Sequence, residues 1–121
     1  MKTDEASNQW ELAAPGWAKW EDVISSAVVS ATNMMFDMAG VVKGKHVLDL
    51  ASGAGSQTIM AAQRVGPSGH VVANDISKTM LHHVIKMRPR PIFQTSQLFW
   101  AQFRSWKFLQ AALMLLFVVL L

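Results

Sequence analysis

The spacing of hydrophobic positions changes along this chain, and each change predicts an element. Residues 1–14 are mostly polar at first and predict a flexible N-terminus, with Trp10 near its end. Pro15-Gly16 predicts a turn. From Lys19 to Ala39, apolar side chains recur every three or four residues (Trp20, Ile24, Ala27, Val28, Ala31, Met34, Met35, Met38), the period of an amphipathic helix with that face inward. Gly40 supplies its stop. His46-Val-Leu-Asp-Leu50 is short and mostly apolar, as expected of a parallel strand buried on both faces. Ala51 to Gly55 is a loop of small residues, and Ser56 to Val65 is helical with Ile59, Met60 and Ala62 inward. Gly66-Pro-Ser-Gly69 turns the chain into a second strand, His70 to Asp75, after which Ser77 caps a helix reaching about Met87. Strand, helix, strand with a right-handed crossover is the opening of a doubly wound, Rossmann-like α/β fold.

Beyond Met87 the pattern stops. Arg88-Pro-Arg-Pro91 is a break, and residues 92–107 show no clean alternation, so no third strand is predicted. Phe108 to Leu121 is apolar except for Gln110. The expected organisation is therefore a flexible 1–14, a partial α/β domain over 15–87 and an atypical basic and apolar tail over 88–121. As a helix the last 14 residues would extend about 21 Å, against a hydrocarbon core of about 30 Å. Extending it backward adds Lys107 and Arg104, which could snorkel, and Trp106 and Trp100, which suit an interface. Two expectations follow for the tail: a short membrane anchor, or a buried or aggregation-prone segment without a native partner; a partner chain is expected only if the fragment is not stable alone.

Composition narrows the class. The chain has 121 residues, 51% hydrophobic and 16% charged, with net charge +3 and no cysteine. That is one domain at most; general disorder, disulfides, a thiolate nucleophile and a Cys-ligated zinc are excluded. All eight acids lie at or before Asp75, which leaves residues 1–75 at −3 and the rest at +6. The basic charge thus belongs to the tail, and a nucleic-acid-binding face is not expected. The polar start lacks a secretory apolar region, so a cytoplasmic location is expected.

The informative segment is Asp49-Leu-Ala-Ser-Gly-Ala-Gly55. A strand ending in an acid and followed by nearly side-chain-free residues lets backbone approach a ligand, and the loop opens onto a helix N-terminus. The dinucleotide fingerprint wants a small residue three positions after Gly55, and Thr58 stands there instead. Asp49 would repel a pyrophosphate but suits an ammonium group. Asp75 ends the next parallel strand and so faces the same crevice, where its carboxylate can accept two ribose hydroxyls. A nucleoside joined to an amino acid is S-adenosylmethionine.

Val47-Leu-Asp-Leu-Ala-Ser-Gly-Ala-Gly55, with Gly69-His-Val-Val-Ala-Asn-Asp-Ile-Ser77 and Met80-Leu81, resembles a class I S-adenosylmethionine-dependent methyltransferase, closest in flavour to the ubiquinone/menaquinone-biosynthesis (UbiE-like) branch. The resemblance covers roughly residues 15–85. It implies that Asp49, Ala51, Ser52, Gly53 and Gly55 line the methionine end of the cofactor, that Asp75 holds the ribose and that Ile76 packs on adenine. Trp17 and Trp20 fall where the family's N-terminal helices cover the cofactor, although core packing is the stronger expectation for both. The implied activity is methyl transfer to a small-molecule acceptor, and no residue is singled out as a general base. The family's sheet has seven strands, only two are predicted here, and no acid follows Asp75 to meet the adenine amine. A domain truncated after its second strand, and a catalytically inactive fragment, is the alternative this carries.

Other candidates are weaker. His82 and His83 are adjacent on a helix and so point about 100° apart, which does not make a metal pair. His46 and His70 sit at strand starts and look like edge residues. Ser52 and Ser56 lack the strand-turn-helix arrangement of a nucleophile elbow.

Overall fold

A computed structural model describes residues 3–87 and 97–101. The elements run α1 (Thr3–Ala39), β1 (His46–Leu50), α2 (Ser56–Val65), β2 (His70–Asn74), α3 (Lys78–Lys86) and β3 (Gln97–Ala101). The three strands form one parallel sheet in the order β1-β2-β3. This is the expected α/β fold with two corrections. A third strand is present, pairing Gln97 with His70 and Ala101 with Asn74. Its sequence, Gln-Leu-Phe-Trp-Ala, is a short apolar run without alternation, which periodicity cannot assign. The tail beyond it, with its expected anchor at Phe108–Leu121, lies outside the described residues, as does the break at residues 88–91. Among the described residues no helix is long and apolar enough to cross a membrane.

The second correction concerns the N-terminal part. Where a flexible start and a Pro15-Gly16 turn were expected, α1 is one helix of 37 residues with Pro15 inside it. Pro15 and Gly16 face solvent, so water can serve the carbonyl that proline leaves without a donor. Side-chain contacts also hold the helix on both sides of Pro15. Ser7 Oγ donates to the Ile76 carbonyl at 3.4 Å, while beyond the proline Gln57 Nε2 donates to Thr32 Oγ1 at 3.0 Å. Arg64 then bonds Asp37 Oδ1 at 2.6 Å and Asn33 Oδ1 at 2.9 Å, with its guanidinium 5.2 Å from the Phe36 ring centre.

The inward face of α1 is also not the expected one. Its buried residues are Ser7, Ala14, Thr32 and Phe36, whereas Trp20, Ile24, Val28, Met34, Met35 and Met38 are exposed, Met38 by 84%. Core packing therefore does not account for Trp17 or Trp20. Both border a shallow apolar cleft with Ala13, Gly16, Val23 and Ile24.

The core lies between the sheet and the helices. Phe36, Val41, Ala61, Ala62, Val65, Val71, Ala73, Leu81 and Val84 form its main cluster. The alanines let helix and sheet backbones come close, and each fully buried valine stabilises the fold by roughly 1.5–3 kcal/mol. β2 is the central strand and is largely buried, while β1 is only half-covered. Among the described residues β1 has a strand on one side only, and an apolar cavity of about 390 Å³ lies against it, bordered by Met35, Phe36 and Leu48 among others. At the N-terminal ends, His46 and His70 stand opposite each other, His70 Nδ1 3.1 Å from His46 Nε2.

Gly69 shows how tightly the turn into β2 is packed. A Cβ there would lie 2.4 Å from Val65 Cβ and 2.8 Å from the Lys45 carbonyl oxygen. Gly69→Ala is expected to cost about 1–3 kcal/mol through overpacking. A thermal midpoint equal to that of the wild type would contradict this packing.

Candidate functional site

The candidate site lies at the C-terminal ends of β1 and β2, where the strands release their chains toward α2 and α3. After Leu50 the backbone turns through left-handed residues: Ala51 at φ 53°, Gly53 at 57° and Gly55 at 106°. Gly55 has no room for a side chain, since a Cβ would sit 2.7 Å from Val84 Cγ2. A Cβ on Gly53 would meet nothing within 4 Å, so this part of the loop borders open space.

Two backbone ties fix the loop against β2. Ser52 N donates to the Asn74 carbonyl at 2.8 Å, and Gly53 N donates to Asp75 Oδ2 at 2.9 Å. The other oxygen of Asp75 accepts from Ser77 N at 2.9 Å, and Ser77 in turn caps α3 by accepting from Met80 N at 3.0 Å. Asp75 is buried. It thus holds the loop, and each of its carboxylate oxygens, with one of these N–H donors, has a second lone pair.

Asp49, at the end of β1, accepts from the Thr58 hydroxyl at 2.5 Å. Burial pushes its carboxyl above the usual range, opposed by the Thr58 hydrogen bond and reinforced by the negative charge of Asp75. The structure therefore brings Asp49, Ala51, Ser52, Gly53, Gly55 and Asp75 to one edge of the sheet. Ile76 follows in the same turn, half-buried. Ser52 Oγ is buried without a hydrogen-bond partner. An orphaned hydroxyl, open space over Gly53 and two close carboxylates fit a ligand that carries both a cation and hydroxyl groups.

Sequence reasoning missed four side chains here. Thr58 is fully buried and serves Asp49. Glu11, on α1, accepts from Thr79 N at 3.3 Å and also from the Thr79 hydroxyl. Those bonds, the hydroxyl's above all, hold Glu11 below the usual carboxylate range. Glu21, also on α1, accepts from Ser56 N at 3.0 Å. Ala14 packs on Ala54 of the loop, with Met80 beside them. A signal was present: Ser7, Glu11, Ala14, Ala18, Glu21, Ser25 and Thr32 keep helical spacing as a small and polar stripe. His82 is exposed and His83 half-buried. No cluster of three metal-ligating side chains occurs among the described residues.

The matches with known proteins span this part of the chain. Residues 42–93 match the family described as a methyltransferase domain. The demethylmenaquinone methyltransferase of Listeria welshimeri is 32% identical over 81 residues, covering 66% of this chain and 34% of that protein. An arsenite methyltransferase of Halobacterium salinarum is 49% identical over 43 residues, covering 36% of this chain and 11% of that one. A SAM-dependent methyltransferase structure from Aquifex aeolicus aligns with TM-score 0.49 at 21% identity, covering 58% of this chain and 37% of that one. Over the matched region the chain is similar to methyltransferases, in line with the resemblance that its sequence motifs carry. The chain spans about a third of the length of the Listeria relative (34%).

Because the folded-state pKa of Asp49 is raised, its ionisation opposes folding. Wild-type stability should fall as pH rises from the ordinary aspartate value, about 3.9, through the raised one. Asp49→Asn removes that titration and keeps an oxygen for Thr58. Its stability relative to the wild type should therefore improve as pH rises above the ordinary aspartate value, followed by urea unfolding at a series of pH values. A difference that does not change with pH would show that Asp49 ionises without penalty.

Proposed function

We propose that this crevice binds S-adenosylmethionine and that the chain acts in methyl transfer to a small-molecule acceptor. One observation carries the proposal: two carboxylates, at the ends of neighbouring parallel strands, flank a left-handed small-residue loop that leads into a helix N-terminus. In this reading Asp49 receives the ligand's ammonium group, which offsets the cost of its buried charge. Ala51, Gly53 and Gly55 let backbone approach the methionine end, and Ser52 Oγ gains the partner it lacks. Asp75 takes the ribose hydroxyls on its remaining lone pairs, and Ile76 packs against the adenine.

When bound, the cofactor supplies a methyl group on a sulfonium, open to in-line displacement. The chain's residues would contribute placement, because alignment of the acceptor with the methyl carbon accounts for much of the acceleration in such a step. Asp49 would hold the ammonium end of the ligand and Asp75 its ribose. The names of the relatives point to different acceptors, a demethylmenaquinone and arsenite. The acceptor proposed here is accordingly a class, a small molecule.

The test is calorimetric titration of the full chain with S-adenosylmethionine and S-adenosylhomocysteine. Saturable binding is expected, and Asp75→Ala should weaken it by about 1.5–3 kcal/mol, roughly 10- to 100-fold, since charge-assisted hydrogen bonds are lost. A chain shown to be folded by circular dichroism that binds neither nucleoside would overturn the proposal.

A further inference from the structure

We propose that Glu21 holds the place of a ligand carboxylate at the amino end of α2, so that a carboxylate-bearing nucleoside binds only as Glu21 gives way. The inference rests on the cofactor reading above and adds to it a residue that sets affinity. Ser56 is the first residue of α2, and its N–H is one of the donors that a helix cannot satisfy internally. The residue before it, Gly55, has no side chain with which to cap. The acceptor comes instead from Glu21, 35 positions earlier, at 3.0 Å. A negative charge at this end of a helix is favourable whichever molecule supplies it.

The position of Asp49 makes a ligand carboxylate a direct competitor. Its carboxylate is bonded to Thr58, the third residue of α2, so it lies beside the first turn of that helix. In an amino acid the ammonium and carboxylate groups share one carbon atom. An ammonium group on Asp49 therefore delivers the neighbouring carboxylate to the first turn of α2, where Glu21 already stands. Two carboxylates cannot share the one N–H without strong repulsion. Ser52 Oγ, buried and without a partner, independently marks the same loop as incomplete.

Displacing Glu21 need not undock α1. Ser7 on Ile76, Glu11 on Thr79, Thr32 on Gln57 and Asp37 on Arg64 hold the helix elsewhere. A rotation of one partly exposed side chain is enough to free the Ser56 N–H.

The test uses the full chain, wild type and Glu21→Gln, titrated with S-adenosylhomocysteine, which carries the carboxylate, and with 5′-methylthioadenosine, which lacks it. The variant should bind S-adenosylhomocysteine about 5- to 20-fold more tightly, because glutamine still accepts from the Ser56 N–H but, being neutral, yields it to the charged ligand carboxylate and no longer repels it. Its affinity for 5′-methylthioadenosine should stay within about twofold of the wild type, because a ligand without a carboxylate gains nothing from loss of the charge at position 21. If the wild type binds and the variant binds S-adenosylhomocysteine no better, Glu21 does not compete, and the cofactor reading stands. Equal tightening for both nucleosides would mean general loosening of α1 and would also overturn the inference. If neither protein binds either nucleoside, the cofactor reading fails and this inference with it. A readout in the unaltered chain guards against a variant that misfolds: the Ser56 amide resonance should move with S-adenosylhomocysteine and stay in place with 5′-methylthioadenosine. The same response to both would overturn the proposal.

Discussion

Asp75 closes two turns with one carboxylate, taking the Gly53 N–H on one oxygen and the Ser77 N–H on the other. The first contact joins the loop after β1 to the end of β2, and the second sets the start of α3. The Ser77 N–H is buried, and leaving it unpaired would cost about 1–3 kcal/mol; the Gly53 N–H is half-buried. With both fixed, Gly55 must pass close to Val84 of α3, and only a glycine fits there. The path of the loop, the start of α2 and the approach of α3 thus depend on the same side chain. A group proposed to hold a ribose is therefore already immobilised by its own fold, which lowers the entropic cost of using it.

The placement of α1 follows from what that edge of the sheet leaves unsatisfied. Two helices begin there, and their first N–H groups need acceptors. Glu21 serves α2 and Glu11 serves α3, so α1 must lie across both starts. This turns its polar and small residues inward and its tryptophans and methionines outward, the reverse of an ordinary amphipathic helix. The same anchoring on both sides explains why Pro15 does not end the helix. Tertiary contacts before and after it outweigh a local cost of about 3 kcal/mol.

What was legible in the sequence were the features with short-range causes. The limits of β1, the start of β2, the helix after the Gly53–Gly55 loop and the Ser77 cap each depend on neighbours a few residues away, and each is where the sequence put it, while β2 ends at Asn74, one residue before the expected Asp75. β3 escaped because a five-residue apolar run carries no period, and what makes it a strand is its ladder to β2. The inward face of α1 escaped because apolar spacing was taken as burial, whereas here the buried face is defined by hydrogen bonds to partners as many as 69 positions away. At the site, Asp49, the glycines and Asp75 could be placed from spacing along two strands. Glu21, Glu11 and Thr58 could not, since their roles exist only once the chain has folded back.

Three departures from ordinary packing fall within four residues of β1 and its loop. Asp49 carries a carboxyl raised by burial, Ala51 adopts a left-handed conformation and Ser52 Oγ is buried without a partner. The backbone of Ala51 alone costs about 1–2 kcal/mol, and an unpaired buried hydroxyl a similar amount. None of these residues belongs to the main core cluster, so repacking the core would relieve none of them. Two of the three ask for something specific from outside: Asp49 for a cation, and Ser52 for a hydrogen-bond partner. A zwitterionic amino-acid end supplies both at once, while a phosphate would supply only the second and would add repulsion at Asp49. The left-handed turn at Ala51 stands between these two groups in the chain, and on the proposed reading a nucleoside carrying a free amino-acid end answers both where a nucleotide answers one.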